Sequence, residues 1–158
     1  MSLAPSKRGG SNAAAAIIQR HPELRHVPDT EAESWDAITT SLLSPSDSLP
    51  LVGICLLERG TVVEIKSCMV VYGENQRRGR FLVRESQHEA LLDNAGSYLF
   101  AVCAPTPDRE LLATKVVPAT IVDDFVSSWI ERDERSRYGQ FAWSRVFRPD
   151  EIERGSSR

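Results

Sequence analysis

The sequence predicts an α/β domain in which helices flank a central mixed β-sheet. Three observations predict it. Two β-branched apolar runs, 51-LVGICLL-57 and 61-TVVEIKSCMVVY-72, are separated only by Glu58-Arg59-Gly60, a hairpin signal with glycine at the turn. The run 97-SYLFAVCA-104 is continuously apolar, as in a strand buried on both faces. Stretches with helical spacing, 84–96 and 119–132, are interleaved with these strands, which favours layers over an all-β or all-α fold.

Along the chain, residues 1–10 read as a flexible N-terminus, 11–147 as a single domain and 148–158 as a polar tail that frays. Ser11 or Asn12 caps a short helix, AAAAIIQR, limited by Pro22. A strand is expected at 35-WDAIT-39, and 44-SPSDSLP-50 is loop by composition. After the hairpin, 73-GENQRRGR-80 reads as a charged loop and Phe81–Val83 as a short extended segment. The helix at 84–96 has Ser86 as N-cap, Glu89 three residues on and Gly96 at its end. Residues 105–109 form a turn and 110–118 a strand. Ile121, Val122, Phe125, Val126, Trp129 and Ile130 fall at helical spacing. A last strand or edge segment is expected at 138–147.

Composition narrows the function. The 158 residues suffice for one core, and 41% hydrophobic with 26% charged residues is ordinary for a globular chain. No apolar run nears the roughly 20 residues of a membrane span, so no membrane partner is expected. Cys55, Cys68 and Cys103 stand apart in apolar surroundings with no C-x-x-C pair, which fits a reducing, cytoplasmic compartment. His21 and His26 flank 22-PELR-25 without other metal-ligating residues nearby and read as surface histidines. A formal charge of −3 excludes a protein that coats nucleic acid by charge alone, though not an enzyme that cuts it.

The chemistry concentrates at Glu64 and Lys66. Strand alternation points both to one face with Val62, while Val63 and Ile65 point to the other. Burying such charges costs several kcal/mol unless they are paired or hold a metal. Two readings follow: a salt-bridged strand, or a site for a hard divalent cation. Mg²⁺ or Mn²⁺ takes carboxylate, water and phosphate oxygens. Glu64 supplies one carboxylate, and a second must come from another segment. Lys66 would then stabilise charge on a phosphate under attack or orient the attacking water.

The segments 35-WDAI-38, 64-EIKS-67 and 86-SQHEALL-92, in this order, resemble the PD-(D/E)XK nuclease superfamily, whose restriction-endonuclease-like fold includes the archaeal Holliday-junction resolvases. The resemblance spans roughly residues 11–130 and implies a Mg²⁺- or Mn²⁺-dependent endonuclease acting on DNA. It gives Glu64 and an upstream aspartate the metal, with the Ile65 backbone carbonyl beside them, and gives Lys66 the water. The aspartate is Asp36, or alternatively Asp47, whose separation from Glu64 is more usual for the family. Gln87 matches a position that several branches place at the site, whereas the adjacent His88 reads as a solvated helix residue. Neither aspartate follows the proline of the family name, and the first helix offers Gln19 where many members carry Glu. Nucleases of this fold often dimerise to cut two strands, so a homodimer stays open.

Arg77, Arg78, Arg80 and Arg84 cluster around Gly79 just after this strand, and guanidinium forks suit phosphate oxygens. They are the candidate nucleic-acid contacts. A second basic, aromatic stretch, 135-RSRYGQFAWSRVFR-148, reads as an extension of that surface or as core. The competing function is a non-catalytic module on the same fold that binds nucleic acid or protein. A small-molecule α/β enzyme lacks support, because the chain has no Gly-rich phosphate loop, G-x-S-x-G or dinucleotide fingerprint.

Overall fold

A computed structural model describes residues 14–15, 17–19, 23–28, 30–31, 35–39, 59–72, 77–105, 110–132 and 135–156. The central sheet has five strands in the order β1 (Leu24–His26), β2 (Ala37–Thr39), β3 (Val62–Met69), β7 (Ser97–Cys103), β8 (Leu111–Pro118). It is mixed: β3 and β7 run parallel, and the other neighbours are antiparallel. The parallel pair requires a crossover, which contains β4 (Val71–Tyr72), β5 (Arg77–Arg78), β6 (Arg80–Arg84) and the helix Glu85–Asp93. The first arm of the expected hairpin, residues 51–57, lies outside the described residues, as does Asp47. The described neighbours of β3 are β2 and β7.

β7 is buried along its whole length, as its unbroken apolar run predicts. Its two faces serve two cores. On one, Leu99 and Ala101 join Val63, Ile65, Leu24 and Ala37 beneath Ile17 of the N-terminal segment, whose described residues 14–15 and 17–19 are helical. On the other, Tyr98, Phe100 and Val102 join Val62, Leu91 and the inward residues of a second sheet. That sheet has the order β6-β10-β9, with β9 at Ile130–Arg132 and β10 at Arg135–Ala142. β10 is therefore its middle strand and no edge.

Several expectations need correction. The helix predicted over 119–132 lasts only from Ala119 to Val122, followed by a 3₁₀ turn at Asp123–Phe125 and an extended path into β9. Its apolar residues are mostly β-branched or aromatic, so propensity does not resist sheet pairing. Gly139 decides the packing there: a β-carbon on it would meet Val126 at 2.5 Å.

Ser86 does not cap the helix Glu85–Asp93. That helix grows directly out of β6, with the extended Arg84 at the cap position and no side-chain cap. The Ser86 N–H is satisfied from β10 by Ser136 Oγ at 3.0 Å. At the other end Ala95 takes the left-handed turn, φ 51°. Gly96 is needed for close approach instead: a β-carbon there would meet Leu91 at 2.6 Å and Val62 at 2.8 Å.

Arg77–Arg78 is the second strand of a two-stranded ribbon with β4, where a charged loop is expected. The tail beyond Arg148 forms a helix, Pro149–Ser156, and Ile152 enters the core at 4% exposure. A lone isoleucine in a polar segment is a weak sequence signal, yet it is enough to dock one turn.

Candidate metal and phosphate site

β3 brings its charges to the inner layer. The register sets Glu64 beside Tyr98 and Lys66 beside Phe100, on the face that carries Val62. Glu64 is 4% exposed. Lys66 Nζ lies 3.7 Å from Glu64 Oε2 and donates to Gln87 Oε1 at 3.3 Å. Gln87 reaches it because the helix Glu85–Asp93 lies across this face, held by Leu91 in the core.

Asp36 arrives from the strand on the other side. β2 pairs with β3 only at Val62 and Val63, and Asp36 precedes it with its own N–H bonded to Val63 O at 2.9 Å. Its carboxylate Oδ2 then accepts the Ile65 N–H at 2.9 Å and comes within hydrogen-bonding reach of Glu64. The Ile65 N–H thus points away from β7, and in an extended strand its carbonyl leaves on the same side. Asp36, Glu64, Ile65, Lys66 and Gln87 are brought together, and Asp47 lies outside the described residues.

Electrostatics follow from this crowding. Burial, and next the hydrogen bond with Asp36, push Glu64 well above the usual carboxylate range. The Lys66 ammonium and the Ile65 N–H oppose that shift without cancelling it. A buried carboxylate hydrogen-bonded to a second one is costly to ionise alone, whereas a divalent cation held there favours the charged form. The donor set is all hard oxygen, which suits Mg²⁺ or Mn²⁺ and not a thiophilic metal. No group of three or more His, Cys, Asp or Glu side chains converges among the described residues. The chain's share here is two carboxylates and a carbonyl, leaving the remaining positions to water and substrate.

Sequence reasoning misplaced His88. It is 1% exposed and joins two partners: Nδ1 is 3.0 Å from the Tyr98 hydroxyl and Nε2 is 2.9 Å from Asp123 Oδ1. The signal was present, because His88 precedes Leu91 by three residues and Leu92 by four, on the apolar face of the helix. Tyr98, next to Glu64 in register, has its hydroxyl pushed up by burial first and then by the Glu64 charge.

The four arginines are exposed. Arg80 and Arg84 flank the buried Phe81 and Val83 along β6 and project to the outer face of the second sheet. The alternation thus turns Arg80 and Arg84 away from the layer that holds Glu64 and Lys66.

A family model described as a PD-(D/E)XK nuclease superfamily domain matches residues 1–148. The chain belongs to the PD-(D/E)XK nuclease superfamily. The mixed sheet with helices against both faces agrees with that membership. A search of curated proteins finds no match. Members of the superfamily typically use divalent metals, and nucleic acid is the substrate class that the family implies. No described helix is long and apolar enough to cross a membrane.

Proposed function

We propose that this PD-(D/E)XK protein is a Mg²⁺- or Mn²⁺-dependent nuclease that hydrolyses DNA phosphodiester bonds at Asp36, Glu64, Lys66 and Gln87. The observation that carries the reading is the convergence of Asp36 on Glu64 from a separate strand, with the Lys66 ammonium 3.7 Å away. A merely structural ion pair needs no second acid, and a second acid makes the pair worse unless a cation is shared.

Asp36, Glu64 and the Ile65 carbonyl are the groups to hold that cation. When bound, it supplies Lewis acidity to the phosphate and acidifies a water toward neutrality. Lys66 places a positive charge where negative charge develops on the phosphate, and its half-sequestered position strengthens the effect. Gln87 accepts from the ammonium through its Oε1 and holds it beside Glu64. Tyr98 and Phe100 wall the site on the β7 side and keep bulk water from it.

The test is cleavage of plasmid and linear DNA with Mg²⁺ or Mn²⁺ by the wild type and by Glu64→Ala, Lys66→Ala and Asp36→Asn. Cleavage that needs the cation and is lost in all three folded variants is expected. Full cleavage in Glu64→Ala and Lys66→Ala would rule the reading out. DNA binding without cleavage, and without heat on Mn²⁺ titration, would convert it to a non-catalytic module.

A further inference from the structure

The second sheet turns one face to the core and one to solvent, and Arg80 and Arg84 are on the solvent face. Phe81 sits on Phe100 with ring centroids 4.6 Å apart, and Phe100 is the register partner of Lys66. Arg80 and Arg84, of opposite parity to Phe81, therefore point away from the layer that holds Lys66 and Glu64. Their partners on β10 share that outer face: Ala142 beside Arg80, Gln140 beside Leu82 and Tyr138 beside Arg84. A groove of about 610 Å³ opens at one end of it, lined by Arg77, Arg78, Arg80, Gln140, Ala142 and Ser144.

Backbone and an aromatic ring hold these cations in place. The Arg78 guanidinium lies 5.2 Å from the Trp143 ring centroid. The indole is anchored by its Nε1–H to Val70 O at 2.8 Å, and its backbone N–H bonds Gly79 O at 3.1 Å. Gly79 itself is pressed against Met69, where a β-carbon would collide with the carbonyl. No ion pair joins Arg77, Arg78 or Arg80 to a carboxylate among the described residues. In a chain of formal charge −3, this is a local reversal of sign on a concave surface.

We propose that the groove is a backbone-binding exosite: it takes a nucleic-acid segment other than the one held at Asp36 and Glu64. Guanidinium forks with an amide and a hydroxyl are the groups that phosphodiester oxygens use. An acidic peptide would satisfy the charge, but among the described residues the lining offers no large exposed apolar side chain to anchor one. The five residue steps from Lys66 through the bend at Val70 to Val71, the partner of Arg78, span at most roughly 17 Å. That is about five base pairs of straight duplex. With the opposite outlook of the two surfaces, one phosphate cannot meet both. The presence of a second, separate segment rests on cleavage at Asp36 and Glu64, whereas binding in the groove does not.

The test uses the full chain in a chelator, with labelled duplex DNA followed by fluorescence anisotropy across a salt series. Arg77→Ala/Arg80→Ala leaves the Trp143 stack untouched and changes only exposed side chains. We expect affinity to fall about tenfold at low salt and the slope of log K against log salt to shrink by about 2. Where DNA is cleaved, the same variant raises KM and spares kcat. Wild-type affinity and slope in this variant, with its melting temperature retained, would overturn the proposal. So would polyglutamate that displaces DNA at equal charge concentration, which would mark a protein partner. If the wild type never cleaves DNA but the arginine-dependent slope is present, the groove stands and the cleavage reading alone falls.

Discussion

Glu64→Gln should make the protein more stable while removing its proposed activity. The substitution keeps the side chain's size and its ability to hydrogen-bond Asp36, and it deletes the charge. Three effects compete. The Lys66 attraction at 3.7 Å is lost, worth about 4 kcal/mol at the effective dielectric of a partly solvated pair. The smaller repulsion from Asp36 is also lost and offsets part of it. What remains is relief from burying a carboxylate that is only 4% exposed, the largest cause of its raised pKa. Lys66 keeps Gln87 and some solvent, so it is not stranded. The net gain expected at pH 7 is about 1–3 kcal/mol, or roughly 2–12 °C in Tm for a domain of this size.

The sign of the pH dependence follows from linkage. A carboxyl whose folded pKa is raised leaves stability whole below its unfolded value, here 4.5. Between that value and the higher folded one the native state binds more protons, so wild-type stability falls as pH rises, then levels off. The Glu64→Gln variant has no such slope at this position. Thermal unfolding of both proteins in a chelator, followed by circular dichroism from pH 4 to 8, reads the difference. The advantage of the variant should grow with pH from near zero at the acid end. A variant less stable than wild type at pH 7, or an advantage that widens as the pH falls, would refute the reasoning.

Four further substitutions test the packing and the charge that position the site. Gly79→Ala forces a β-carbon into the Met69 carbonyl and should cost about 1–3 kcal/mol in denaturant unfolding; a neutral effect would mean that β4 and β5 do not hold the chain there. Ile152→Ala should cost about 2–4 kcal/mol if the last helix is docked in the core, and near zero if the tail is loose. His88→Ala strips partners from the buried Tyr98 hydroxyl and should cost about 2–4 kcal/mol, with Lys66→Met comparatively mild in stability and severe in cleavage.

Much of this was legible before any coordinates. The unbroken apolar run at 97–104 reads as the central strand because no side chain on it needs water. Glu64 and Lys66 read as a shared-face pair because alternation has a period of two. That Asp36 meets Glu64 was less legible, since pairing register fixes which residues face each other, and register is a tertiary property. Asp36 is placed by its bond to Val63, and no local pattern announces that. The helix at 119–132 failed because its periodic residues are good strand formers, and Ile130 pairs with Tyr138 of β10 instead of closing a helical turn. The arginines show the same limit: their cluster is plain in the sequence, but their face is set by Phe81 seating on Phe100, a contact between distant segments.

The most direct test is diffraction at the manganese edge from crystals soaked in Mn²⁺. A single anomalous peak about 2.1 Å from carboxylate oxygens of both Asp36 and Glu64 is the expected result, and it should vanish in Glu64→Gln crystals. A well-diffracting soak with no density between those carboxylates, or with manganese bound only elsewhere, would contradict the proposed site.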